Sequence, residues 1–211
     1  MRFASSLLCC LCALPAFLCV SAAPADAALR LNEFMAGPAR DWDGSGTFSS
    51  RDDEWVEVVN SGGSALPLDG FFITDGDSLP RFAFTGTLAA GQRLMVSGKQ
   101  SYDWERATGF PAFGLSLANT GDAVMLWQVV GAETLLVDAY TYRSHEAAAD
   151  RAVGRFPDAS GAWVIFDALN PYTGSTPPAG NGCPPTPGMV NACDVTPVRQ
   201  VPWGRLKTIY R

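Results

Sequence analysis

The sequence predicts an all-β sandwich or barrel, and three observations carry that prediction. Apolar and polar residues alternate with period two in short stretches, as in Leu29-Arg30-Leu31-Asn32-Glu33-Phe34. Clusters of Gly, Asn, Asp and Ser separate these stretches. Amphipathic helical periodicity is nearly absent. A strand turns successive side chains to opposite faces, so alternation marks a sheet with one face on a core. Several short strands between turn clusters mark a sandwich or barrel.

Taken in order, residues 29–34 give the first strand, by alternation. Residues 55–58 and 93–96 alternate less cleanly. Residues 71–73 and 81–84 are short apolar runs between them, and residues 123–128, 135–142 and 162–166 are three more. The separating turns are Asn60-Ser61-Gly62-Gly63, Asp75-Gly76-Asp77, Ala90-Gly91, Asn119-Thr120-Gly121-Asp122 and Pro157-Asp158-Ala159-Ser160-Gly161. Residues 101–108 and 146–151 are each expected to form one short helical turn. Residues 170–188, rich in Pro, Gly, Thr and Ser, are expected to be irregular, and residues 194–202 read as a linker.

Composition narrows the function. Hydrophobic residues make up 47% of the 211, enough for a core. Lys and Arg number 15 against 21 Asp and Glu, a net charge of −6. With no basic excess to neutralise phosphates, nucleic acid is not expected as the partner. The single histidine, His145, excludes multi-histidine zinc sites and leaves one candidate for any histidine triad.

Residues 1–27 read as a secretory signal peptide: Arg2, an apolar run over residues 7–20, then Ala25-Asp26-Ala27 as a cleavage site. The run is shorter than the roughly 20 residues that span a bilayer. No second apolar run follows, so no membrane span is expected after cleavage. The expected location is secreted, either extracellular or at the cell envelope. Cleavage removes Cys9, Cys10, Cys12 and Cys19. The remaining pair, Cys183 and Cys193, reads as a disulfide in an exported chain.

The order of the segments resembles the lamin tail domain, an immunoglobulin-like β-sandwich also found in exported bacterial proteins. Leu31-Asn32-Glu33-Phe34 looks like its first strand, and Glu54-Trp55-Val56-Glu57-Val58-Val59-Asn60 like its second. Leu68-Asp69-Gly70-Phe71-Phe72-Ile73-Thr74-Asp75 and the stretch from Leu88 to Val96 resemble the following turns and strands. Asn119-Thr120-Gly121-Asp122 matches its Asn-x-Gly-Asp turn. Pro185-Thr186-Pro187-Gly188-Met189-Val190-Asn191 resembles the closing segment. On this reading the sandwich occupies residues 28–193. The resemblance implies a binding or scaffolding module without chemistry of its own.

One stretch departs from a simple hairpin. From Asp41, side-chain oxygens fall at positions 1, 3, 5, 9 and 12 (Asp41, Asp43, Ser45, Ser49 and Asp52). Gly46 stands at position 6, and Thr47 at position 7 offers its carbonyl. This is the ligand spacing of a twelve-residue calcium loop, with Asp53 or Glu54 placed to help the short Asp52 at the last position, so Ca²⁺ is the expected cofactor. The other reading is a solvated acidic turn in which Asp and Gly serve as turn formers. Glu33 and Glu57 fall on predicted strands beside this loop. They either help hold the ion or the loop backbone, or lie on the polar face of their strands.

No catalytic motif completes. His145-Glu146-Ala147-Ala148-Ala149 lacks the second histidine of the zinc protease motif. No Gly-x-Ser-x-Gly, phosphate loop or Gly-x-Gly-x-x-Gly is present. Asp138 is expected to be satisfied by a neighbouring backbone group or an arginine such as Arg155. The chain is therefore expected not to be an enzyme. It is read as an exported module that binds a protein or surface polymer; a secreted hydrolase or its accessory domain, and a structural matrix component, are the alternatives. The basic, aromatic tail (Trp203, Arg205, Lys207, Tyr210 and Arg211) is expected either to dock on an acidic or aromatic partner or to pack on the domain as a last strand or turn.

Overall fold

A computed structural model describes residues 29–193. The expected signal segment and the tail residues Trp203, Arg205, Lys207, Tyr210 and Arg211 lie outside the described residues.

The elements follow one another as β1 (Leu29–Met35), β2 (Trp55–Asn60), β3 (Leu66–Pro67), β4 (Phe71–Thr74), β5 (Pro80–Ala83), β6 (Thr87–Leu88), β7 (Arg93–Ser97), α1 (Gly98–Thr108), β8 (Gly121–Val130), β9 (Glu133–Arg143), β10 (Ala152–Phe156) and β11 (Ala162–Phe166). Two antiparallel sheets, β11-β10-β1-β2-β7 and β5-β4-β8-β9, enclose the core, and β3-β6 forms a small ribbon. Every strand expected from alternation is present. Leu29, Leu31 and Phe34 of β1 and Val56 and Val58 of β2 pack in one core with Phe71, Ile73, Val124, Leu126 and Tyr142 of the other sheet. Each such side chain, fully buried, contributes about 1.5–3 kcal/mol. The Phe34 ring lies 5.2 Å from that of Tyr142, centroid to centroid.

Two expectations on helices change. Residues 98–108 form a three-turn helix rather than one turn. The helix is capped at both ends: Ser97 and Gln100 form a reciprocal capping box, and Gly109 closes it at φ 82°. Its buried residues are Gly98, Ser101 and Glu105, so no apolar stripe marked it. Residues 146–151 make turns and no helix. Strand β10 was not expected, because Gly154 interrupts its apolar pattern. A Cβ at Gly154 would meet Asn191 Nδ2 at 2.8 Å and Glu33 Cγ at 2.9 Å, so the packing requires glycine.

A β-bulge sets what lies behind the larger sheet. The β1–β2 register shifts between Leu31 and Glu33. Leu29 and Leu31 face the core, and the extra residue returns Phe34 to it. Glu33 and Met35 thereby face outward, paired with Glu57 and Trp55. Both glutamates do lie on the outer face, but that face is not solvated: Glu33 and Glu57 are buried beneath the chain that follows β11. Thr186 donates its amide and hydroxyl to Glu33 at 3.0 and 2.6 Å. The Gly188 amide donates to Glu57 at 2.6 Å. Asn32 bonds to Glu57 at 2.7 Å, and the Asn191 amide to Asp158 at 3.0 Å. The glutamates thus hold the closing segment and not the acidic loop. Cys183 and Cys193 form the expected disulfide, with Cα atoms 5.3 Å apart. Cys183 is buried with Met35, Trp55, Ala152 and Phe166.

Arg81 joins the edge strand β5 to α1. Its guanidinium bonds to Asp75 at 2.7 Å and to Glu105 at 3.2 Å, and all three side chains are almost wholly buried. Ser101 donates to the Arg81 carbonyl at 2.7 Å. Removing one partner from such a group leaves buried charge uncompensated, at about 3–5 kcal/mol. Arg81→Met is expected to lower the melting temperature by roughly 10 °C in a domain of this size, measured by circular dichroism.

Burial pushes the Glu33 carboxyl from 4.5 up to about 8 against the Thr186 bonds, and that of Glu57 up to about 7 against the Asn32 bond. Asp158 behaves oppositely: burial raises it, but Arg93, the Asn191 amide and Asn32 together hold it below the usual carboxylate range. A carboxyl with a raised folded pKa binds its proton more tightly when folded. Its stability contribution is complete below pH 4.5 and is lost as pH rises towards 8. The melting temperature is therefore expected to fall between pH 5 and pH 8. Glu33→Gln should flatten that slope and be relatively more stable at pH 8, as calorimetry at the two pH values will show.

Candidate functional site

The acidic loop is anchored at two points. Trp42 packs beside Trp55, their ring centroids 6.4 Å apart, and donates its indole N–H to Asp150 at 2.8 Å. An exposed calcium-loop position has no need of tryptophan; here it ties the loop to the outer face of the larger sheet. The second anchor is Asp53, fully buried, which accepts the amides of Trp42 at 2.6 Å, Asp43 at 3.0 Å and Ser49 at 2.7 Å.

Within this frame the expected ligands are only partly brought together. Asp41 accepts the amides of Gly44 at 2.8 Å and Gly46 at 2.7 Å, and Asp43 that of Ser45 at 2.9 Å. Gly46 adopts φ 85°, the sharp turn that its position requires. Asp41, Asp43 and Asp53 each offer a carboxylate oxygen, all within 4.8 Å of one another. Asp52, expected as the closing ligand, is not in this group. It pairs with Arg51 at 2.7 Å, and the arginine holds it below the usual carboxylate range against a modest burial penalty. Asp53 takes its place one residue later. The Ser45 hydroxyl donates to the Thr47 carbonyl at 3.0 Å, so these two expected oxygens bond to each other. The Ser49 hydroxyl accepts the Asp52 amide at 3.2 Å. Calcium takes six to eight oxygens at about 2.3–2.6 Å. Three carboxylates at this separation fit around one such centre; Ser45 and Thr47 would have to exchange their mutual bond for the ion.

The residues weighed for chemistry serve the fold. Asp138 accepts the Leu31 amide at 3.1 Å and both its oxygens lie 3.0 Å from Arg155, as expected. Glu146 accepts the Tyr140 hydroxyl at 2.6 Å and the Arg143 amide at 2.8 Å. Among the described residues no helix is long and apolar enough to cross a membrane.

A second surface was not anticipated. Strands β8 and β9 run past the sandwich into a hairpin whose end carries Val129, Val130, Leu135 and Leu136, each 45–52% exposed. Leu136 pairs across the sheet with Trp127, which stacks on Phe72. Adjacent apolar doublets, Val129-Val130 and Leu135-Leu136, break the period of two and were the available signal. A doublet puts apolar side chains on both faces of a ribbon, so one of each pair stays exposed unless something covers it.

The lamin tail domain family model matches residues 22–144. This is more than half of the chain and takes in β1 through β9, the acidic loop and the hairpin; β10, β11 and the closing segment follow it. No curated protein and no solved structure gives a match. Lamin tail domains have an immunoglobulin-like fold and act as non-enzymatic protein-interaction modules. The order of strands, the antiparallel sandwich and the matched span agree: the chain belongs to the lamin tail domain family.

Proposed function

We propose that the protein is an exported, non-catalytic scaffold that holds a protein or surface polymer at the cell envelope, with an acidic loop stiffened by calcium. The observation that carries this reading is the apolar end of the β8–β9 hairpin. The ribbon end carries Val129 and Leu136 on one face and Val130 and Leu135 on the other, all about half exposed, and an apolar end of this kind is costly to leave in water and marks an interaction surface. Support for calcium comes from the Asp41, Asp43 and Asp53 oxygens. Support for export comes from the sequence of residues 1–27 and from the disulfide, a bond that persists in oxidising compartments.

Hairpin binding is tested by Leu135→Ser with Leu136→Ser. The double variant should keep its melting temperature within a few degrees, because both residues are half exposed, and should move from the envelope fraction to the medium. Equal envelope retention of variant and parent would sink the reading.

Calcium at 100 times its dissociation constant should stabilise the parent by about 2.7 kcal/mol. Asp41→Ala with Asp43→Ala should abolish that gain and preserve the β-sheet circular dichroism signal. An identical melting temperature in calcium and in chelator would remove calcium from the proposal.

A further inference from the structure

An open cleft of about 460 Å³ lies between the turn that precedes β2 and the loop that links α1 to β8. This volume is within the range of small-ligand sites. Its walls include Ser50, Arg51, Glu54, Phe113, Ser116 and Asn119. Phe113 is 56% exposed, and the Arg81 guanidinium lies 5.7 Å from its ring centroid. Arg51 lies over the Tyr102 ring at 4.1 Å and is paired with Asp52, so its plane is held and its charge is balanced.

The loop wall is pinned by two buried acids. Glu105 accepts the amides of Phe113 at 2.7 Å and Gly114 at 2.8 Å, and Glu54 accepts that of Leu117 at 3.2 Å. Ser116, between these points, is held at φ 58°, a left-handed conformation that costs free energy in a residue other than glycine. A wall fixed in this way loses little entropy when a ligand binds. Glu54 is buried with its carboxyl on the Leu117 amide, and Arg51 is paired with Asp52. Neither group stands in the cleft as an unpaired charge.

We propose that this cleft binds a neutral saccharide ring of a surface polymer, stacked on Phe113 and hydrogen-bonded by Arg51, Ser50, Ser116 and Asn119. A pyranose ring has an apolar C–H face for an aromatic ring and a rim of hydroxyls that both donate and accept. The cleft offers one exposed aromatic ring bordered by a guanidinium, an amide and two hydroxyls, which matches both features. The proposal rests on the reading of the chain as a binding module. It concerns a different surface from the hairpin end: the cleft lies near the Gly121 end of β8, and the apolar residues lie at its Val130 end.

The test is a titration of the full chain with cellotetraose, chitotetraose and maltotetraose, followed by NMR at the Arg51, Asn119 and Phe113 side chains. At least one oligosaccharide should give saturable shifts at all three, with a dissociation constant of about 1 mM or tighter. Phe113→Ala and Asn119→Ala should each weaken binding about tenfold or more while the melting temperature shows that each variant is folded. Absence of saturable shifts with every sugar, shifts that map elsewhere, or unchanged affinity in both folded variants overturns the proposal. Envelope retention of Phe113→Ala and of the hairpin double variant, measured in parallel, separates the two readings. Hairpin-dependent retention without sugar binding defeats the cleft alone. Sugar binding with retention that ignores the hairpin leaves the cleft standing.

Discussion

Backbone amides in an irregular chain need acceptors, and most of this architecture depends on buried carboxyl groups that provide them. Thr186 and Gly188 give their amides to Glu33 and Glu57. Phe113 and Gly114 give theirs to Glu105, Leu117 to Glu54, and Tyr172 and Gly182 to Asp167. Trp42, Asp43 and Ser49 converge on Asp53. An unpaired buried amide costs about 1–3 kcal/mol, so a sandwich with long connections cannot leave these groups unmatched. Each acid lies on or beside a regular element and fixes a loop relative to it.

This device accounts for much of the acidic composition without reference to any ligand. Glu33, Glu54 and Glu57 are buried and carry raised pKa values, so part of the formal charge of −6 is neutralised in the folded state at neutral pH. The same logic separates the acids of the loop. Asp53 is committed to three amides and shapes the turn. Asp41 and Asp43 are more exposed and point towards it, so the fold that fixes Asp53 also creates the close approach of the three. The loop is curled by its own hydrogen bonds, with no ion needed to hold that shape.

The bulge at Asn32 links these features. Without the extra residue, the alternation of Leu29 and Leu31 would turn Glu33 into the apolar core. With it, Glu33 and Met35 face the closing segment and Phe34 meets Tyr140 and Tyr142. The outer face of the larger sheet therefore becomes a second interior, closed by residues 183–193 and the disulfide. Strand β2 is buried over its whole length for this reason.

The sequence by itself determined the strands that alternate or run apolar, the pairing of Cys183 with Cys193, and the family. These follow from local period, turn chemistry and spacing, which neighbours in sequence control. The full length of helix α1 and the whole of strand β10 were hidden because their buried residues, Gly98, Ser101, Glu105 and Gly154, are small or polar, so burial there leaves no apolar period. The sequence left Asp52, Asp53 and Glu54 open as the residues that close the acidic loop, and only the fold decides that Asp53 turns inward while Asp52 meets Arg51. The fate of Glu33 and Glu57 depended on a segment about 130–150 residues away that covers them. Tertiary structure alone decided these points, because burial of a polar side chain is set by partners distant in the chain rather than by its neighbours.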